Sequence, residues 1–89
     1  MRAVKALLHV GGRERMDIAI ALALRILAVD PLQEHVHRIL MRCYAQQGRR
    51  ADALRQYDLC RAVLWKEVRA APEGETEQLQ RKIRYMSRA

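Results

Sequence analysis

Between Leu32 and Gln47, large apolar residues fall at Val36, Ile39, Leu40, Cys43 and Tyr44. That spacing of three, four, seven and eight places all five on one stripe of a helix; a strand would scatter them over both faces. Gly48 stands where such a helix should stop. A second helical run, about Arg50 to Arg69, begins two or three residues later. So short a break forces an antiparallel hairpin. The second run is expected to bury Ala53, Leu54, Tyr57, Cys60, Leu64 and Val68. Its outer face carries Asp52, Arg55, Asp58, Arg61, Lys66 and Glu67, with opposite charges three or four residues apart.

Three more helical segments extend this pair. The first, about Arg2 to Val10, is expected to end at Gly11-Gly12. The second runs from about Met16 to Val29 and is apolar on two sides. Ile18, Leu22, Ile26 and Val29 lie on one, and Ile20, Leu24 and Leu27 nearly opposite. A helix apolar on two faces must be covered on two faces, so it is expected at the centre or against another chain. Asp30-Pro31 then opens the third segment, with Asp30 as N-cap, Pro31 at the first helical position and Gln33 closing a capping box. After an Ala71-Pro72-Glu73-Gly74 linker, a last helix from about Glu75 to Ser87 should bury Leu79, Ile83 and Met86. The expectation is an all-α chain of about five helices in one domain spanning residues 1–89.

Composition agrees with close-packed helices. No Phe is present, so the core must be built from Leu, Ile, Val and Ala. The net charge of +7 favours acidic partners or nucleic acid through long-range attraction. Its basic residues are spread out, however, and not clustered or interleaved with aromatics as a nucleic-acid surface would have them. Cys43 and Cys60 form no CxxC pair and sit at apolar helix positions, which reads as buried reduced thiols in a cytoplasmic protein. No signal peptide is evident, and the apolar stretch from Ile18 to Val29 is broken by Arg25 and too short to span a bilayer.

No catalytic or metal-binding pattern emerges. His35 and His37 point in different directions on a helix, and His9 is remote from both, so structural or solvated roles are expected. Gly11-Gly12 lacks the GK[ST] of a phosphate loop, and Ser87 is the only serine. No cofactor, no metal and no enzymatic activity are expected.

Leu40, Tyr44, Gly48, Ala53 and Tyr57 fall on the pattern of a tetratricopeptide repeat, and Ala19 stands 34 residues before Ala53. The departures are Ile26, where the repeat has Ala, and Trp65, where a closing Pro belongs. A closer resemblance covers roughly Ala23 to Ile83. The DPLQE run, the GRRADALRQYDLCR block and the tail of Pro72, Glu75, Thr76, Leu79 and Ile83 resemble the bacterial transcriptional activation domain, the tetratricopeptide-like helical domain of bacterial transcriptional regulators of the antibiotic-regulatory type. Arg69 replaces a Gly usual there. In that family the domain sits beside a winged-helix DNA-binding domain, which is not visible in this sequence, so direct DNA binding does not follow. The chain is compatible with being a fragment of a larger regulator.

By this resemblance the third segment would line a partner-binding groove. His35, Arg38, Arg42, Gln46 and Arg49 recur every three or four residues, and Arg38 and Arg42 would clamp carboxylates of an acidic peptide. The second segment suggests self-association. With about one and a half recognisable repeats, apolar surface at Ile20, Leu24 and Leu27 should meet a second copy or a neighbouring helix. The function implied is a protein–protein interaction or oligomerisation module of a bacterial transcriptional regulator. The alternative is a basic helical domain that binds nucleic acid directly.

Overall fold

The structure, a computed structural model, describes residues 12–86. Four helices follow in order: α1, Gly12–Val29; α2, Glu34–Gln46; α3, Arg50–Val68; and α4, Gly74–Arg84. Among the described residues there is no strand, as the all-α expectation required. The helix expected at Arg2 to Val10 lies outside the described residues. Gly12, expected to end it, is instead the first residue of α1.

The hairpin forms where the spacing predicts. Gly48 adopts φ +75, the left-handed conformation that costs a glycine almost nothing, and the Arg49 amide donates to the Tyr44 carbonyl at 2.8 Å. The chain therefore reverses within Gln47, Gly48 and Arg49, and α3 packs along α2. Ala53 and Leu40 are fully buried in the same core, with the Tyr44 and Tyr57 rings buried beside them. A methyl side chain at Ala53 lets the backbones come close, and the two rings fill the flanking space. Leu40 and Met41 are both sealed from water, each contributing roughly 2–3 kcal/mol of apolar burial.

The centre of the molecule is α2, which packs against α1, α3 and α4. Of the two places expected for the doubly apolar α1, at the centre or against another chain, the central one is taken by α2. That position also widens α2's buried arc. Glu34, His37, Arg38 and Met41 are buried, whereas Ile39 is exposed and Cys43 only half-buried. An apolar stripe marks contact with one neighbour, and α2 has three.

Two helix ends differ from expectation. Asp30 does not cap α2, because Pro31 and Leu32 are spent in a turn: the Leu32 amide donates to Asp30 Oδ1 at 3.2 Å. Gln33 holds the N-cap position without a side-chain cap, and the His37 ring ties down the turn through the Pro31 carbonyl at 2.8 Å. At the other end, α3 is six residues longer than α2, about 9 Å of overhang. Val68 lies in that overhang and is exposed, not buried as expected. In α4, Ile83 is buried and Leu79 packs on the core; the helix ends at Arg84, so Met86 lies beyond it and is exposed, not buried as expected.

Candidate protein-interaction surfaces

The polar residues expected to form one groove on α2 are divided by the structure. Arg38 is buried, and its Nη1 donates to Thr76 Oγ1 at 2.9 Å. The Thr76 hydroxyl donates in turn to Glu34 Oε2 at 2.5 Å, and the same carboxylate oxygen accepts the Glu73 amide at 2.7 Å. Arg38 also faces Glu34 at 3.8 Å and Glu75 at 3.4 Å, and Arg42 reaches Glu75 at 3.6 Å. The two arginines do meet carboxylates, but the carboxylates belong to this chain. The arrangement fastens α4 to α2, and Arg38 is not part of an open groove.

Arg49 is likewise engaged, pairing with Asp52 at 2.9 Å and stacking over Tyr44 at 4.6 Å. His35 and Gln46 remain exposed. Beside Gln46 lies a shallow cleft of about 240 Å³ between α2 and α4, lined by Arg42, Ala45, Leu79, Lys82 and Ile83. Sequence reasoning missed Glu34, Thr76 and Glu75 as Arg38's partners. One signal was present: Glu34 and Arg38 are four apart on one helix, the spacing of a matched ion pair.

The remaining polar seams are also closed within the chain. His37, buried, meets Gln56 Nε2 through Nδ1 at 2.8 Å, giving this histidine the structural role expected. The Tyr57 hydroxyl donates to Glu77 Oε1 at 2.5 Å; burial first, and then this bond to a carboxylate, push its pKa up to about 12. Arg50 donates from Nε to the Ile83 carbonyl at 3.0 Å and from Nη2 to the Arg84 carbonyl. No buried side-chain polar atom among the described residues lacks a partner.

Both cysteines are free thiols. Burial pushes the pKa of Cys43 up, and that of the fully buried Cys60 up to about 12. Neither is a poised nucleophile. Among the described residues, no group of His, Cys, Asp and Glu could hold a metal, and no helix is long and apolar enough to cross a membrane.

The apolar faces of α1 are sorted in the opposite sense to expectation. Ile20 is buried with Ala23, and Leu27 packs against the same core, so two of the three residues expected to mediate self-association are occupied within the chain. Leu24 is exposed, as a bare face requires. The larger uncovered stripe is the other one: Ile18, Leu22, Ile26 and Val29 stand 39%, 49%, 44% and 88% exposed. Leu22, Ile26 and Val29 line an open, largely apolar hollow with Arg25, Asp30 and Gln33.

The family described as bacterial transcriptional activator domain matches residues 1–84. The chain belongs to that family. No curated protein and no solved structure matches it. Membership ties the bacterial transcriptional activator domain described here to transcriptional regulation. The segments that carry the resemblance also have a physical content. The DPLQE run supplies Glu34, the tail supplies Glu73, Glu75 and Thr76, and these distant pieces meet in the buried α2–α4 seam.

Proposed function

We propose that this domain is a non-catalytic protein–protein interaction or oligomerisation module of a bacterial transcriptional regulator, working in the cytoplasm. The carrying observation is the stripe of Ile18, Leu22, Ile26 and Val29 along the outer side of α1. Four aliphatic side chains in one line form a continuous apolar strip, which a helix from another polypeptide would bury at a gain of roughly 25 cal/mol per Å². The helices would stack as tetratricopeptide-like hairpins, and in such arrays each hairpin is completed by a neighbour. A second copy of the chain can supply that neighbour, as can a helix of the same regulator. The mechanism is recognition by a rigid, packed surface.

Arg42 and Gln46 retain a secondary role in this proposal, at the α2–α4 cleft, where an acidic segment would find Arg42 and Lys82 over an apolar floor, while His35, exposed, is not among the residues that line it. Direct nucleic-acid binding is the weaker alternative. Arg38, Arg49 and Arg50 are engaged by the chain's own carboxylates and carbonyls, which leaves less of the +7 charge free for phosphates.

Sedimentation velocity over a wide concentration range tests the main role. The chain should gain mass as concentration rises, and the double variant Leu22→Lys, Ile26→Lys should stay at the mass of one chain. A single-chain mass for the parent at every concentration, with no gain on adding the remainder of its regulator, would overturn it.

A further inference from the structure

A second surface lies on the far side of the hairpin, at the end of α3. A cleft of about 590 Å³ opens there, lined by the apolar Ala62, Trp65, Ala71 and Pro72 and by the charged Asp58 and Arg61. Trp65 is the chain's one tryptophan, and the residue is 58% exposed. Leaving an indole in water forgoes one of the largest apolar burials any side chain can provide. The core does not use it, so its packing explains nothing about the fold.

The walls of this cleft are fixed in place. Arg69 closes α3 with φ +53, a left-handed conformation that suits glycine and strains a residue with a Cβ. Its guanidinium lies over the Trp65 ring at 5.4 Å, so the strained residue is also the one that props the indole. The Ala70 amide donates to the Leu64 carbonyl at 3.3 Å, and Glu34 holds the Glu73 amide at 2.7 Å. The linker is therefore pinned at both ends, and the cleft is formed before any partner arrives. Among the described residues Arg61 makes no ion pair.

We infer that the Trp65 cleft is a docking site for an extended peptide that places a large apolar side chain against the indole and an adjacent carboxylate on Arg61. The apolar lining selects the side chain. Arg61 in the lining and Arg69 beside it, over the Trp65 ring, outnumber Asp58, and a chain of net charge +7 draws an acidic segment toward them. Asp58 at the same cleft, together with the alanine and proline walls, disfavours a nucleic-acid backbone. This site is independent of the α1 stripe and stands or falls separately from it.

A displayed library of random peptides, panned on the whole chain, tests the assignment, with Trp65 fluorescence as the local readout. Enriched peptides should share a large apolar residue next to Asp or Glu and should shift the Trp65 emission. They should bind Trp65→Ala and Arg61→Glu at least about tenfold more weakly, and the Leu22→Lys, Ile26→Lys variant unchanged. Both cleft residues are exposed, so helical circular dichroism should match the parent in each variant. The proposal is overturned by no enrichment over the Trp65→Ala protein or by equal binding to both cleft variants. It is also overturned if oligothymidylate shifts the emission at lower concentration than the peptides, which would assign the cleft to nucleic acid.

Discussion

The two sides of α2 carry opposite kinds of surface. Toward α4 the apolar packing of Leu79 and Ile83 is joined by a closed polar set: Glu34, Arg38, Thr76 and Glu75 satisfy one another, with Tyr57 bonded to Glu77 close by. Toward α1 the core contact is apolar, through Ile20, Ala23 and Leu27, and α1's outer face repeats that chemistry and is left exposed by the described residues. Hydrogen bonds are directional and saturable, so a finished polar seam has no further valence to offer. Apolar surface has no such limit. The α4 side therefore fixes one arrangement of this chain, and the α1 side is where the proposed function has a partner join it.

The largest effect should come from breaking the polar seam. Glu34→Ala removes the acceptor of both Thr76 and the Glu73 amide and leaves the buried Arg38 with the exposed Glu75 as its one remaining carboxylate among the described residues. A loss of about 3–5 kcal/mol is expected in urea unfolding, with α4 released first. Next in size is the inner face of α1. Ile20→Ala should cost about 2–3 kcal/mol, whereas Ile26→Ala on the outer face should stay within about 0.5 kcal/mol. Equal costs for the two would erase the distinction between the faces. Arg69→Gly sharpens the comparison from the α4 side. Relief of its left-handed strain, less the added freedom of the unfolded chain, should raise stability by about 1 kcal/mol.

Alkali provides the mildest test, because it does nothing at neutral pH. Tyr57 and Cys60 both have folded pKa values raised to about 12, from ordinary values of 10.0 and 9.0. A raised folded pKa contributes stability that is intact below the unfolded value and is lost as pH climbs through the folded one. Stability should thus fall between about pH 9 and 12, and Tyr57→Phe with Cys60→Ala should flatten that fall. The α1 stripe holds no ionising side chain at Ile18, Leu22, Ile26 or Val29, so association through it should not follow the same curve.

The hairpin was legible in the sequence because its determinants are local. Gly48, the α2 spacing and the small Ala53 between Tyr44 and Tyr57 each act within a few turns of helix. Arg38 was not legible in that way. Its burial depends on Thr76, 38 residues away, and a charged side chain at helical spacing reads as a solvated face until that partner is placed. The faces of α1 were ambiguous for a different reason: both are aliphatic, and only packing against α2 decides which is inside. Asp30 illustrates a third kind of limit, since an N-cap and a turn-forming aspartate share one local sequence and differ by where the helix begins. The cleft at Trp65 needs both α3 and the linker in place, so only its two odd residues, Trp65 and Arg69, were visible beforehand.

Hydroxyl-radical footprinting of the intact chain at rising concentration addresses the contrast between the two faces of α1 most directly. Leu22 and Ile26 should react readily in dilute solution and become protected as the chains associate, while Ile20 and Met41 stay unreactive throughout. Protection of Leu22 and Ile26 already at the lowest concentration would mean the face is covered within one chain. Their unchanged reactivity at every concentration would mean that no second copy sits there.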